Sequence, residues 1–400
     1  MTSVEKYTEI YKKPPQYKAF TPYRVSPLGA HVDHQLGLIT GFAIDKGIHI
    51  AYGPKENGVI ELSSMQFEKR AQWHVSATPE RPEGDWADHL RGASLMLGER
   101  YALRRGLCAV IDGELPIGGL SSSAAVIITF LTALARINGI SLSESEVIDL
   151  AQAAENRYVG VSCGKLDQCC EVYSRKNSLL FMDMRTGARE VISENPSATP
   201  YKIAIFFSGL ERSLASSKYN ARIDEAKAAA YSLLAYAGMD YGKFAEATLS
   251  DVPREVFLEY KHLLPPTFRR RAEHYFGEVE RVRLGVEAFR RGDMAEFGRL
   301  VFESGRSSIE LWETGSEELA RMYEIMTKTE GIYGARFSGA GFKGCCMAII
   351  DPARADEVLD KVGREYVAAF PHLADKYTAC VCSTADGVRF FSDESEDIEK

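Results

Sequence analysis

One segment constrains this chain more than any other: Pro116-Ile117-Gly118-Gly119-Leu120-Ser121-Ser122-Ser123-Ala124-Ala125, running directly into a long apolar stretch. Two glycines permit backbone angles and close approaches that side chains forbid, and three serines add hydroxyls. The spacing predicts a helix from Ser123 to Asn138, stopped by Gly139. The first-turn N–H groups of such a helix lack intrahelical partners and its dipole is positive there, so a phosphate group fits that end. A serine oxygen also suits Mg²⁺, a hard cation that prefers oxygen. The plainer reading is a serine-capped helix after a turn, a common arrangement. It is not a Walker A loop, because no Gly-Lys-Ser/Thr closes it.

At 400 residues the chain has room for about two domains. With 45% hydrophobic and 26% charged residues it reads as an ordinary globular protein, and a formal charge of −8 gives no global field that favours nucleic acid. The start, Met1-Thr2-Ser3-Val4-Glu5-Lys6, carries no apolar stretch behind it, unlike a secretory signal. The longest apolar run, Ala124 to Ile137, is interrupted by Thr129, Thr132 and Arg136 and falls short of the ~20 residues that span a bilayer. The cysteines include no C-x₂-C pair, and neighbours such as Cys169-Cys170 bond to each other only with strain. Reduced thiols and a cytoplasmic location are expected, with no membrane, nucleic-acid or obligate protein partner.

Short β-rich segments (Gly47 to Tyr52, Val59 to Phe67) precede helical signals at Trp86 to Arg104 and Glu144 to Tyr158, and Leu179 to Met184 reads as a buried strand. Glu194 to Pro200, polar with two prolines, is the boundary candidate, giving units 1–198 and 199–400. The second opens with a strand, Tyr201 to Phe207. Charged helices follow (Ala221 to Ala237, Phe268 to Arg290, Met294 to Ser304, Ser316 to Lys328), then strands at Cys345 to Ile350 and Val388 to Phe391. The acidic tail Ser392 to Lys400 is expected to fray. Strands and helices mixed without a strict βαβ rhythm indicate an α+β architecture in both units.

Other segments carry chemistry-bearing residues. In Thr21-Pro22-Tyr23-Arg24-Val25-Ser26-Pro27-Leu28-Gly29-Ala30-His31-Val32-Asp33-His34, the His31-x-Asp33-His34 spacing suggests a metal site when read alone, but no third clustered ligand lies nearby. Gly339-Ala340-Gly341-Phe342-Lys343-Gly344 is a formal G-x-G-x-x-G. A β-type run follows it where dinucleotide binding needs a helix start, which leaves a glycine-rich crossing as the alternative. Asp167, after Gly164 and before a short helix, reads most simply as an N-cap.

Taken in order, these segments resemble the GHMP kinases (galactokinase, homoserine, mevalonate and phosphomevalonate kinases), and most closely their galactokinase-like members. Ser213-Leu214-Ala215-Ser216-Ser217-Lys218-Tyr219 and Arg271-Ala272-Glu273-His274 extend the resemblance. The Pro116–Gly119 spacing is one residue shorter than in most galactokinases. The resemblance implies a ribosomal protein S5 domain 2-like N-terminal domain, a ferredoxin-like C-terminal domain, and an ATP- and Mg²⁺-dependent sugar kinase. It implies Asp167 and Arg24 as catalytic residues. Gly118, Gly119, Leu120, Ser121, Ser122 and Ser123, with Gly339, Ala340 and Gly341, would hold the ATP phosphates. Ser123 and Glu155 would hold Mg²⁺, while Ala30, His31, Asp33, Gly164 and Tyr219 would meet the sugar.

The pattern departs from galactokinases at Ala30, where they carry a glutamate that contacts the sugar's C6 hydroxyl. Against a C6 carboxylate such a glutamate would cost roughly 4 kcal/mol at ~4 Å in an effective dielectric of about 20. A uronic acid therefore explains Ala30 best, and several stretches resemble galacturonokinases. Galactose or a pentose such as L-arabinose is the alternative substrate, and a non-enzymatic sugar and ATP sensor the alternative class. Lys165, Arg212 and Arg222 are candidate partners for the carboxylate, each equally readable as a solvated surface charge.

Overall fold

The computed structural model describes residues 1–210, 215–341 and 344–391. Arg212, Ser213, Leu214, Phe342, Lys343 and the tail Ser392–Lys400 lie outside them. The first half contains α1 (Ser3–Tyr11), β1 (Tyr17–Val25), β2 (Leu38–Lys55), β3 (Val59–Ser64), β4 (Ala71–His74), α2 (Asp88–Arg100), β5 (Gly106–Gly113) and α3 (Ser122–Ile137). It continues with α4 (Glu144–Ala153), α5 (Leu166–Tyr173), β6 (Ser178–Asp183) and β7 (Arg189–Ser193). Strand β2 is the hub, pairing antiparallel with β1, β5 and β6. Helix α3 is apolar on nearly every side and so must be enclosed. It packs on β1, β2 and β5 and between α2 and α4, with Phe130, Leu131 and Leu134 fully buried. Each contributes roughly 1.5–3 kcal/mol of burial, which fixes the position of the loop that precedes the helix.

The helix expected from Glu144 to Tyr158 ends early. After α4 the backbone opens into a π-helical turn, Ala154–Val159, which contains Glu155. Such turns insert an extra residue and re-aim side chains, often at functional sites.

The second half holds β8 (Lys202–Phe207), α6 (Ala215–Tyr236), α7 (Arg254–Tyr260), α8 (Pro266–Arg291), α9 (Met294–Glu310) and α10 (Glu317–Thr327). It ends with β9 (Ile332–Phe337), β10 (Cys345–Ile350), α11 (Ala355–Ala369), β11 (Thr378–Cys382), β12 (Thr384–Ala385) and β13 (Arg389–Phe391). Strands β8 to β11 form an antiparallel sheet in the order β11-β8-β10-β9. By sequence rank that is 4-1-3-2, with helices between the first and second strands and the third and fourth, the ferredoxin-like arrangement. Alternating side chains serve two faces. Phe206, Ala348 and Ile350 pack against Met322, Val358 and Tyr366, whereas Ile203, Ile205, Met347 and Ile349 join the main core.

The end of the chain corrects the expected organisation. Val388 to Phe391 was assigned to the second unit, but β12 and β13 return to the first sheet, pairing Thr384 with Ile44 and Phe391 with Lys18. The edge of β1 otherwise exposes unpaired backbone groups, and this returning segment covers part of it. Among the described residues no helix is long and apolar enough to cross a membrane.

Candidate active site

Three backbone features converge on one carboxylate. Strand β1 has a register irregularity between Pro22 and Arg24, and such a shift re-aims the side chains that follow it. Arg24 donates Nε to Asp167 Oδ1 at 2.6 Å and Nη1 to the Gly119 carbonyl at 3.0 Å. Asp167 stands in the first turn of α5, and the Ser121 hydroxyl donates to its other oxygen, Oδ2, at 2.6 Å. Burial disfavours the charged Arg24, but Asp167 and then Glu171 outweigh it and hold the guanidinium above its ordinary pKa.

Ser121 is the N-cap of α3, in the left-handed region with φ 60°, yet its side chain makes no capping bond. The serine-capped reading is thereby corrected: the hydroxyl is committed to Asp167, leaving the first N–H groups of α3 open. The loop before it needs its glycines, since Gly118 and Gly119 have φ of 130° and 88°. A Cβ on Gly119 would come within 2.6 Å of Cys345 Sγ, and one on Gly344 within 2.5 Å of the Gly118 carbonyl carbon. The two glycine-rich segments thus lie directly on each other. The expected Leu120 and Gly341 do not reach the cavity: Leu120 is 1% exposed and packs in the core, and Gly341 packs against Thr314 and Phe337.

Gly118, Gly119, Ser121, Ser122, Ser123, Gly339 and Ala340 line one side of a cavity of about 420 Å³. Arg24, Asp167 and Glu155 stand within it, and Ala30, His31, Asp33, Gly164 and Tyr219 line the rest. Glu155 accepts from Gln168 Nε2 at 2.5 Å and is hydrogen-bonded by the Ser123 side chain. Burial, and then the negative charge of Asp167, raise its pKa to about 7. Asp33 is raised to about 6 by the same two causes, while its Oδ2 accepts from the Leu166 N–H at 3.2 Å. A Cβ on Gly164 would sit 2.2 Å from that oxygen, so glycine is required there.

His31, with φ 59°, stacks on Trp312 at 5.5 Å between centroids, and among the described residues its buried Nε2 has no hydrogen-bond partner. Among the described residues no three His, Cys, Asp or Glu side chains are grouped as a metal centre. One cavity residue, Arg336, and one buried residue stacked on the cavity residue His31, Trp312, escaped the sequence reading. Arg336 sits inside a glycine motif that drew attention to its backbone, and Trp312 follows α9 with no local signal.

Family models for the GHMP kinase N-terminal domain and C-terminal domain match residues 88–175 and 286–368. A galacturonokinase of Arabidopsis thaliana is 36% identical over 92% of this chain and 92% of its own length. The chain is a GHMP kinase. A galactokinase of Chloroflexus aggregans is 29% identical to this kinase over 88% of each chain. Lactococcus lactis galactokinase, solved in complex with galactose, superposes on the kinase with a TM-score of 0.87 at 26% identity, covering 96% of this chain and 98% of that one. The Methanococcus jannaschii mevalonate kinase, at 15% identity and a TM-score of 0.64 over 92% of this chain and 98% of its own, shares the fold. The kinase is a sugar 1-kinase of the galactokinase and galacturonokinase type, using ATP on a small-molecule sugar.

Proposed function

We propose that this kinase phosphorylates D-galacturonate at C1, giving α-D-galacturonate 1-phosphate. The observation that carries the reading is Ala30. It lines the cavity, bringing no negative charge where galactokinases present a glutamate. The 36% identical relative named galacturonokinase adds independent support.

Phosphoryl transfer asks a protein mainly to position groups and neutralise charge. The Gly118–Ser123 loop and the open N–H groups of α3 would hold the triphosphate, with Gly339 and Ala340 against it. Asp167 would accept the proton of the C1 hydroxyl as the new O–P bond forms and the bond to ADP breaks. Arg24 would hold Asp167 in place and stabilise the moving charge. Asp33, His31 and Tyr219 would orient the sugar.

Ser123 and Glu155 fit Mg²⁺: both offer hard oxygen donors, and Glu155 is a buried carboxylate in want of a counter-charge. The ion would offset the phosphate charge. A sensor without turnover is the second class of reading, and the intact Asp167–Arg24 pair argues against it. An assay with ATP and Mg²⁺ across galacturonate, glucuronate, galactose and L-arabinose tests the proposal. Galacturonate should give the highest kcat/KM, and a preference for galactose or L-arabinose would overturn it.

A further inference from the structure

A uronate needs a cation, and the two described sequence candidates, Lys165 and Arg222, are already paired. Lys165 is paired with Asp149 at 2.6 Å. Arg222 is held between Glu225 and Glu313 at 3.0 and 3.8 Å, and Arg212 lies outside the described residues. Among the described residues two arginines line the main cavity, Arg24 and Arg336, and Arg24 is committed to Asp167.

Arg336 is 1% exposed. Its Nε donates to the Phe337 carbonyl at 3.0 Å, Nη1 to Ser304 Oγ at 2.7 Å, and Nη2 to Ser308 Oγ at 3.3 Å. Among the described residues the carboxylate paired with it is Glu278, 3.7 Å from Nη1. Glu278 is already engaged: Oε2 takes Arg281 at 2.7 Å, and Oε1 accepts from the Gly29 and Ala30 N–H groups and from Ser304. Two guanidinium groups therefore share one buried carboxylate, the one that accepts from the Ala30 N–H, leaving an excess positive charge in its neighbourhood. An uncompensated buried charge is costly, so such a site gains from an incoming anion. A guanidinium has five N–H donors, and among the described residues these three bonds leave one on Nη1 and one on Nη2 without an acceptor. His31 Nε2, also partnerless among the described residues and buried, belongs to the same wall.

We propose that Arg336, together with His31 Nε2, receives the C6 carboxylate of the uronic acid in the cavity that Ala30 lines. This rests on the galacturonate reading and adds the residues that discriminate. Burial, only partly opposed by Glu278, lowers Arg336 to about 10. Burial, then Arg336, His274, His34 and Arg24, hold His31 well below its ordinary value. A carboxylate beside Arg336 supplies the counter-charge that Glu278 gives only in part, and neutral His31 can offer it a hydrogen bond, whereas a neutral sugar brings no such charge.

The test compares KM and calorimetric Kd for galacturonate and galactose in Arg336→Gln and Glu278→Gln. Arg336→Gln should weaken galacturonate roughly tenfold or more relative to galactose, the scale of a lost hydrogen bond to a charged group, with KM for ATP unchanged. A merely structural arginine would weaken both sugars and ATP together, and that result overturns the assignment. Should Arg336→Gln fail to fold, Glu278→Gln decides. Releasing Arg336 from its shared partner should tighten galacturonate severalfold relative to galactose, and an unchanged ratio rejects the proposal. If the unaltered kinase prefers galactose, the galacturonate reading itself falls. If it prefers galacturonate and the variants leave the ratio unmoved, only the Arg336 assignment falls.

Discussion

The Ser121 hydroxyl donates to Asp167 Oδ2 at 2.6 Å across 46 positions of sequence, tying the start of α3 to the start of α5. A hydroxyl that would otherwise cap its own helix instead fixes the direction of a carboxylate that Arg24 holds from the other side. Ser121→Ala leaves that oxygen without its donor while sparing the backbone of the loop. We expect kcat to fall about tenfold, the scale of one hydrogen bond to a charged group, with KM for ATP within about twofold. Steady-state kinetics check this, and a loss confined to KM for ATP would assign Ser121 to the nucleotide instead.

Asp167→Asn keeps the size of the side chain and removes both its charge and its ability to take a proton. The pair with Arg24 is lost, yet the glycine-rich loops and the α3 N–H groups are untouched. Turnover should disappear into the assay background while calorimetry still detects nucleotide binding. Turnover close to that of the unaltered kinase would remove the assigned role.

Glu155 gives a pH dependence with a definite sign. Its folded pKa, about 7, lies above the ordinary 4.5. Between those values the folded state binds more protons than the unfolded one, so this group's contribution to stability declines as pH rises. In the unliganded kinase it favours folding most at acid pH. Mg²⁺ held by Glu155 would reverse the preference, because it would need the ionised carboxylate and compete with the proton. The Mg²⁺ concentration for half-maximal activity should therefore fall severalfold between pH 6 and pH 8. Glu155→Gln should demand more Mg²⁺ at every pH and lose most of that slope. A pH-independent Mg²⁺ requirement in the unaltered kinase would contradict the assignment.

What the sequence made legible follows from the range of the interactions. The α3 segment and its loop were readable because glycine, serine and apolar periodicity act locally. The proximity of Arg24 and Asp167 came through the family resemblance, and the 2.6 Å contact bears it out. The return of β13 to β1 was hidden because strand pairing between residues 18 and 391 leaves no trace in either segment alone. The π turn at Ala154–Val159 was missed for a related reason: the periodicity through 144–158 is helical on both sides of the inserted residue. Arg336 was masked by its glycine neighbours, and its significance depends on how Glu278 divides its oxygens between two arginines, which no pattern in either segment encodes.

Ala30 offers the most direct reading of substrate charge. Its N–H already points to Glu278 at 3.3 Å, and its carbonyl accepts from His274 Nε2 at 3.0 Å, so the backbone is held while the residue lines the cavity. Ala30→Glu brings a carboxylate to the cavity that Arg336 also lines, where it would compete with a substrate carboxylate for the same cation. Repulsion between two carboxylates at ~4 Å, of roughly 4 kcal/mol at an effective dielectric of about 20, sets an upper scale near a thousandfold. We expect kcat/KM for galacturonate to fall on the order of a hundredfold or more, with galactose changing far less because it has no charge to repel. Equal losses for the two sugars would mean that the glutamate acts by bulk alone, and the charge argument for Ala30 would fail.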